Sequence, residues 1–285
     1  MAPPPMATPA QSQAFSIPEI FELILLNLDT RTLLTKASRV CRDWTRFINS
    51  SPPIQRALFF KPLGNVLNKP TMENPMLAEA FPSLFHQIPA TGDDDTNHNG
   101  RTERLLPLVT FTTFDFIRRP HMLDAYMRPE ASWRRMLVQQ PAVHTLTFLR
   151  VNYGHGGQSL CHYEVWSADY QKELGGGLRM ETLFEVLIFE ESWTQFECPN
   201  TRVFWRLEDL GESTQREMQL HGVGDLGLVL RTDFGVCWQR DSSEAAPEHD
   251  AVKNVRKKYR ELGMTPKYWK ESWVLERKTW GSLWN

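Results

Sequence analysis

Residues 16–60 carry more large apolar side chains than a helical bundle of that length can enclose. A segment of about 45 residues lies at the lower limit of independently folding domains and has little interior. Leaving a large aliphatic or aromatic side chain in water forfeits roughly 1.5–3 kcal/mol of burial free energy. Some of these side chains must therefore pack against another surface. That surface belongs either to the rest of this chain or to another protein, and periodicity alone favours neither.

The spacing of apolar residues predicts four helices in this segment. Ser16-Ile17-Pro18-Glu19 has the form of a capping box at the start of the first helix. Asp29 or Thr30 is expected to cap a second helix, because both residue types accept a hydrogen bond from the first helical turn. A third helix is expected to end before Ser51-Pro52-Pro53, which cannot continue it. Residues 54–60 form a fourth short apolar piece.

The first helix is expected to be apolar on more than one face. At about 100° per residue, one side collects six large apolar side chains. These are Ile17, Ile20, Phe21, Ile24, Leu25 and Leu28. Leu23 and Leu26 project on the opposite side, among acidic and polar residues. Apolar surface on both sides adds to the excess that another surface must cover.

The order of residues in this segment resembles the F-box, in particular the variant common in filamentous fungi. The matching features are Ile17-Pro18-Glu19, Ile24-Leu25-Leu26 with Leu28, Leu33-Leu34, Arg39-Val40-Cys41-Arg42 with Trp44, and Ser51-Pro52 followed by residues 55–60. The general F-box pattern places one more residue between its Pro and Glu, and Asp29 stands where a Pro is often found. Neither departure removes an apolar anchor. Three later segments resemble those that accompany this fungal type of F-box. They are residues 74–78 with Phe81-Pro82, residues 132–137 and residues 177–180.

The resemblance implies a module whose helices pack against the C-terminal helices of a Skp-type adaptor, which joins a cullin that carries a RING subunit. The chain would then be the substrate receptor of an SCF-type ubiquitin ligase, and its remaining domain would select a protein target. The implied positions at the adaptor interface or directly beneath it are Ile17, Pro18, Ile20, Phe21, Leu25, Leu28, Leu33, Leu34, Val40, Cys41 and Trp44. Trp44 and Leu28 are the first hot-spot candidates, because large apolar anchors dominate desolvated interface centres. The alternative is a scaffold that uses the adaptor outside any ligase.

The rest of the chain predicts an α+β fold in which a small all-helical F-box module precedes a mixed α+β domain. Residues 1–13 lack large apolar groups and predict a disordered tail. The module spans 14–60, a partly ordered linker with a polar loop at 91–103 spans 61–104, and the α+β domain spans 105–285. Strands are predicted at 145–151, 201–207 and 226–232, helices at 131–140, 180–190 and 250–262, and a solvated loop at 241–250.

No motif predicts an enzyme. The sequence lacks G-x-S-x-G, the phosphate-binding loop, H-E-x-x-H and G-x-G-x-x-G after a strand, so we expect no catalytic residue and no cofactor. The adjacent Cys161 and His162 would point to opposite faces of a strand and form no nucleophile and base pair. The spacing of His144, His155, His162, His221, Cys161, Cys198 and Cys237 predicts no metal site. A distant alternative is an enzyme whose second domain holds a site that no motif reveals.

Charge and cysteine usage indicate an intracellular protein that binds neither nucleic acid nor membrane. The net charge is −2, with 32 Lys and Arg against 34 Asp and Glu, so no overall positive field attracts a polyanion. The four cysteines are widely spaced, which favours reduced thiols. The sequence shows neither a secretory signal nor an apolar run of roughly 18 residues. We therefore expect a cytoplasmic or nuclear protein.

Overall fold

The chain forms two compact units, one of residues 1–64 and one of residues 65–285. The computed structural model describes residues 17–64, 71–85, 108–153, 159–167, 176–189, 200–205, 209–210, 215–216, 227–235, 242–267, 273–274 and 280–281. The predicted tail at 1–13 and the predicted polar loop at 91–103 lie outside these residues. The described part of the first unit is helical, whereas the second unit mixes helices with sheets. The fold is therefore α+β.

Four short α-helices and a 3-10 turn make up the first unit. They are α1 (Pro18–Leu26), α2 (Thr30–Thr35), the turn Ala37–Arg39, α3 (Arg42–Ser50) and α4 (Pro52–Ala57). As predicted, Asp29 caps α2, and its carboxylate accepts a hydrogen bond from the Thr32 backbone N–H at 2.9 Å. The fourth helix begins two residues earlier than predicted. Pro52 and Pro53 terminate α3 but fit the first turn of α4, where no N–H is needed.

The start of α1 differs from the predicted capping box. Ile17 occupies the N-cap position, and no side chain caps the helix there. Ser16, which was expected to supply the cap, lies outside the described residues. Pro18 at the first helical position fixes the backbone for helix entry.

Each element of the first unit contributes to one small core. Its buried members are Phe21, Leu25, Leu33, Ala37, Ile48, Ile54 and Leu58. The ring of Phe21 contacts the rings of Trp44 and Phe47, with centroids 4.8 and 4.9 Å apart. The Gln55 side chain donates to the Ile48 backbone carbonyl at 2.9 Å, so a buried polar group at the end of α3 is satisfied.

The second unit contains a six-stranded sheet and a two-stranded sheet. The strands are β1 (Met72–Glu73), β2 (Gln139–Gln140), β3 (Thr145–Tyr153), β4 (Ser159–Ser167), β5 (Asn200–Phe204), β6 (Leu228–Gly235), β7 (Trp273–Val274) and β8 (Trp280–Gly281). The larger sheet has the order β5-β6-β3-β4-β7, and β8 also pairs with β4. β3 runs antiparallel to β4 and parallel to β6. The three predicted strands correspond to β3, β5 and β6.

The second unit also contains seven α-helices among its described residues. They are α5 (Pro75–Ala80), α6 (Pro82–Phe85), α7 (Asp115–Arg118), α8 (Leu123–Met127), α9 (Ser132–Arg135), α10 (Met180–Phe189) and α11 (Ser242–Glu261), with 3-10 turns at Phe111–Thr113 and Pro120–Met122. The helix predicted at 131–140 is wrong in its second half, where β2 pairs with β1. The loop predicted at 241–250 is also wrong, because residues 242–250 belong to α11, whereas Asp241 lies outside the described residues. Acidic residues in the first turn stabilise a helix through its macrodipole. The loop prediction took the acidic residues of this segment as a sign of solvent exposure alone.

The three segments of the second unit that resemble companions of the fungal F-box lie together. Asn74 donates through its side chain to the Leu137 carbonyl at 3.1 Å and through its backbone N–H to the Val138 carbonyl at 3.0 Å. The Met180 N–H donates to the Met136 carbonyl at 2.9 Å. These bonds join residues far apart in sequence, so the segments organise the interior of the second unit.

Candidate partner-binding surface

Four large aliphatic side chains of α1 form an exposed strip. Ile17, Ile20, Leu23 and Ile24, called here the α1 strip, are 38–61% exposed. With 3.6 residues per turn they occupy a continuous arc of about 120°. Single exposed apolar residues are common on protein surfaces, whereas a contiguous group makes this strip the candidate partner-binding surface of the first unit.

The apolar side predicted for the first helix is partly buried in the core and partly exposed as the α1 strip. Phe21 and Leu25 face the core and are almost fully buried. Leu23, expected on the opposite side, belongs to the strip, and Leu26 packs partly against the core. The helix is apolar around most of its circumference, and α3 and α4 cover only one part of it.

A second exposed apolar position lies at the corner between α2 and α3, formed by residues 36–42. Val40 is 59% exposed, and Cys41 beside it is an exposed free cysteine. The corner is held in place from within, because Ala37 is buried and the Ser38 hydroxyl donates to the Leu34 carbonyl at 2.6 Å. Thr45 on α3 donates to the Ser38 carbonyl at 2.6 Å. Val40 is therefore displayed by an ordered turn.

The predicted interface positions fall into three groups. The exposed group comprises Ile17, Pro18, Ile20, Val40 and Cys41. The partly buried group comprises Leu28, Leu34 and Trp44. The buried group comprises Phe21, Leu25 and Leu33. The buried group belongs to the core and supports the surface from beneath. The two hot-spot candidates, Leu28 and Trp44, pack against that core and keep part of their surface in solvent.

Leu23 and Ile24 are exposed members of the α1 strip that the predicted interface set omitted. The helical spacing already placed Ile24 beside Ile17 and Ile20. Leu23 lies three residues after Ile20, so the two side chains are neighbours on the helix surface. The prediction omitted Leu23 because Glu19 and Glu22 lie on the same side of the helix.

The second unit contains a buried ionic cluster around Arg134 of α9. This side chain is 1% exposed. Its guanidinium donates to the Glu181 carboxylate at 3.1 Å, to the Tyr259 hydroxyl at 2.8 Å and to the Arg128 carbonyl at 3.0 Å. The planar group also lies against the rings of Trp133 and Tyr259.

Glu185 of α10 lies beside this arginine. Its carboxylate is 3.9 Å from Arg134, and it accepts hydrogen bonds from the Lys267 backbone N–H at 2.6 Å and from the Tyr259 hydroxyl at 3.3 Å. Burial raises the pKa of Glu185 to about 7 and also raises the pKa of Tyr259. Shifted acids can indicate a catalytic site, but these groups are enclosed and bonded to one another. The cluster therefore joins α9, α10, α11 and the segment after α11.

The described residues show neither a metal-binding cluster nor a membrane-spanning helix. Among the side chains that the structure describes, no group of three or more His, Cys, Asp and Glu residues is placed to hold a metal ion. His144 is exposed, whereas the side chains of the other candidate ligands lie outside the described set. None of the helices within the described ranges has the length and apolar character needed to cross a bilayer. Comparison with protein-family models, with curated proteins and with solved structures finds no match.

Proposed function

We propose that this chain is an F-box substrate receptor of an SCF-type cullin-RING ubiquitin ligase. Residues 16–60 bind a Skp-type adaptor, and the second unit binds a protein target. The observation that carries the proposal is the α1 strip, a contiguous exposed aliphatic surface on a small helical module whose sequence resembles the F-box. Removing such surface from water favours association by roughly 0.8 kcal/mol for each buried methylene.

The small size of the module supports this assignment. Its core already uses side chains from every helix, so the α1 strip and Val40 have no place inside it. Beneath them, Phe21 and Leu25 hold α1 against the other helices. A rigid helix face with aliphatic anchors suits insertion between helices of a partner.

The second unit suits target recognition in this proposal. Its shifted acidic group, Glu185, is bonded within a closed cluster and is not presented to a substrate. The chain then acts by proximity: it brings a target to the ubiquitin-transfer machinery and contributes no catalytic group. The exposed free thiol of Cys41 suits a reducing compartment, the cytoplasm or the nucleus.

Co-purification of the full chain with a purified Skp-type adaptor tests the proposal. The Ile20→Asp/Leu23→Asp variant places two charges on the α1 strip and is expected to abolish recovery of the adaptor. Leu262→Asp is the matched control, since Leu262 is an aliphatic residue of the second unit with 39% exposure. Circular dichroism establishes that each variant remains helical.

Two results would contradict the assignment. Either the unmodified chain recovers no adaptor, or the α1 variant recovers as much adaptor as Leu262→Asp. Recovery of a cullin together with the adaptor separates a ligase subunit from a scaffold that uses the adaptor alone.

A further inference from the structure

The two units carry net charges of opposite sign. Residues 1–64 contain seven Lys and Arg residues against four Asp and Glu residues, a net charge of +3. The whole chain has a net charge of −2, which leaves −5 for residues 65–285. The near-neutral total therefore hides a basic module attached to an acidic unit.

Three of the four acidic side chains in the module are occupied within it. Glu22 accepts a hydrogen bond from the Ser51 hydroxyl, Asp29 caps α2, and Asp43 pairs with Arg46 at 3.1 Å. Three of the four carboxylates of the module are thus bonded within its own structure. They leave a surplus of positive charge on its surface.

That surplus is concentrated at the corner formed by residues 36–42. Lys36, Arg39 and Arg42 are exposed, and no acidic side chain among the described residues pairs with them. They recur every three residues, and Arg39 and Arg42 flank the exposed Val40 and Cys41. Like charges this close repel one another, and a partner that brings negative charge relieves the repulsion. The corner therefore presents an apolar side chain within a cationic rim.

We propose that the adaptor surface which receives this corner is an apolar depression bordered by acidic side chains. Val40 enters the depression, and Arg39 and Arg42 face the acidic groups. This inference rests on the proposed function, because it describes the partner of the same module. A nucleic acid is the less suitable occupant, since phosphates would neutralise the cations but leave Val40 and the α1 strip in water.

Charge complementarity at an interface rim acts mainly on the association rate. The encounter of a cationic corner with an acidic surface is accelerated at low salt and is slowed when ions screen the field. The apolar contacts of the α1 strip act mainly on dissociation, which salt affects less. The two parts of the surface thus have separate kinetic signatures.

Stopped-flow association of the full chain with a purified Skp-type adaptor tests the inference. Raising NaCl from about 50 to about 500 mM is expected to slow association of the unmodified chain severalfold. The Arg39→Glu/Arg42→Glu variant should associate roughly tenfold more slowly at low salt and lose most of the salt dependence. Lys253→Glu/Arg260→Glu makes the same change in net charge at exposed positions of α11 and should leave the rate nearly unchanged.

The salt dependence of the unmodified chain tests the inference even if the charge-reversed variant does not fold. If the adaptor binds at a rate that changes neither with salt nor with the Arg39→Glu/Arg42→Glu charge reversal, the inferred acidic border is wrong. The proposed function would be unaffected by that result. If the unmodified chain does not bind the adaptor at all, both the proposed function and the inferred acidic border are wrong. An electrophoretic mobility shift assay tests the nucleic-acid alternative. If the unmodified chain shifts duplex DNA and the Arg39→Glu/Arg42→Glu variant does not, the corner binds nucleic acid and the inference is overturned.

Discussion

Arg134 illustrates how one residue can organise a unit without taking part in recognition. It belongs to a segment that resembles companions of the fungal F-box, and in the structure it is buried among two carboxylates, a phenol and backbone carbonyls. The guanidinium donates hydrogen bonds in several directions, and its central carbon lies 4.8 and 5.1 Å from the ring centroids of Trp133 and Tyr259. A lysine ammonium reproduces neither property. The position therefore requires arginine.

Replacing Arg134 by Ala should lower the unfolding free energy of the second unit by about 3–5 kcal/mol, because Glu181, the Tyr259 hydroxyl and the Arg128 carbonyl would lose their buried donor. Urea denaturation followed by tryptophan fluorescence measures the loss, since Trp133 and Trp205 are buried in this unit. Arg135→Ala changes the exposed neighbouring arginine and serves as control. Equal stability of the two variants would show that the ionic cluster contributes little.

Glu185 should make the stability of the second unit dependent on pH. Burial raises the pKa of its carboxyl from 4.5 to about 7, so the folded unit retains a proton that the unfolded chain has already released. The resulting stabilisation is complete below the unfolded pKa of 4.5 and is lost as the pH rises to about 7. The expected change is on the order of 3 kcal/mol.

Urea denaturation at about pH 5 and about pH 8 measures this dependence, because most of the titration falls between these two values. The Glu185→Gln variant should lose most of the difference between the two, whereas the exposed Glu261→Gln should keep it. A unit that becomes more stable towards the higher pH, or a difference unchanged by Glu185→Gln, would contradict the expectation.

At the scale of elements, α1 performs two tasks with neighbouring leucines. Leu25 is fully buried in the core of the module, and Leu23 is 61% exposed on the α1 strip. The two residues have the same chemistry and lie in the same helix. Substitutions at these positions therefore separate folding from binding.

Leu25→Ala should lower the unfolding free energy of the module by about 2–5 kcal/mol, because it leaves a cavity in a small core. Leu23→Ala should change that free energy by less than about 0.5 kcal/mol and should weaken binding of the Skp-type adaptor. Thermal denaturation followed by circular dichroism and a binding titration provide the two measurements. Loss of stability in Leu23→Ala comparable with that in Leu25→Ala would place Leu23 in the core instead.

The apolar periodicity of α1 predicted its helical structure but not which arc is covered. Phe21 and Ile24 fall on the same side of the helical wheel, yet only Phe21 is buried. The distinction depends on where α3 and α4 pack, which residues of α1 alone do not determine. The sequence therefore predicted the excess of apolar surface, whereas its division between core and strip required the tertiary arrangement.

Long-range pairing also limited prediction in the second unit. Residues 131–140 have helical spacing, but the Val138 N–H donates to the Leu178 carbonyl at 3.1 Å and its carbonyl accepts from Asn74. These partners lie far away in sequence, and they replace the local helical bonds. By contrast, the helix predicted at 180–190 and the strand predicted at 145–151 match α10 and β3 closely, because burial and periodicity agree there.

At the scale of the whole molecule, the division into two units predicts how a partner acts on stability. An adaptor that binds only the folded module, at a free concentration of about 100 times its Kd, should raise the module's opening free energy by about 2.7 kcal/mol. Amide hydrogen exchange measures this for α1 and α3, and the β3 amides of the second unit serve as an internal reference. Slower exchange in β3 but not in α1 would contradict adaptor binding through the module.

The opposite charges of the two units bear on how the purified protein is handled. With a sequence pI of about 6.5, the chain resembles a weakly acidic protein in bulk titration. A cation-exchange resin, however, can bind the basic first unit, and an anion-exchange resin can bind the acidic second unit. We expect retention on both resins near neutral pH, and elution from the cation exchanger at lower ionic strength once a partner occupies the basic unit.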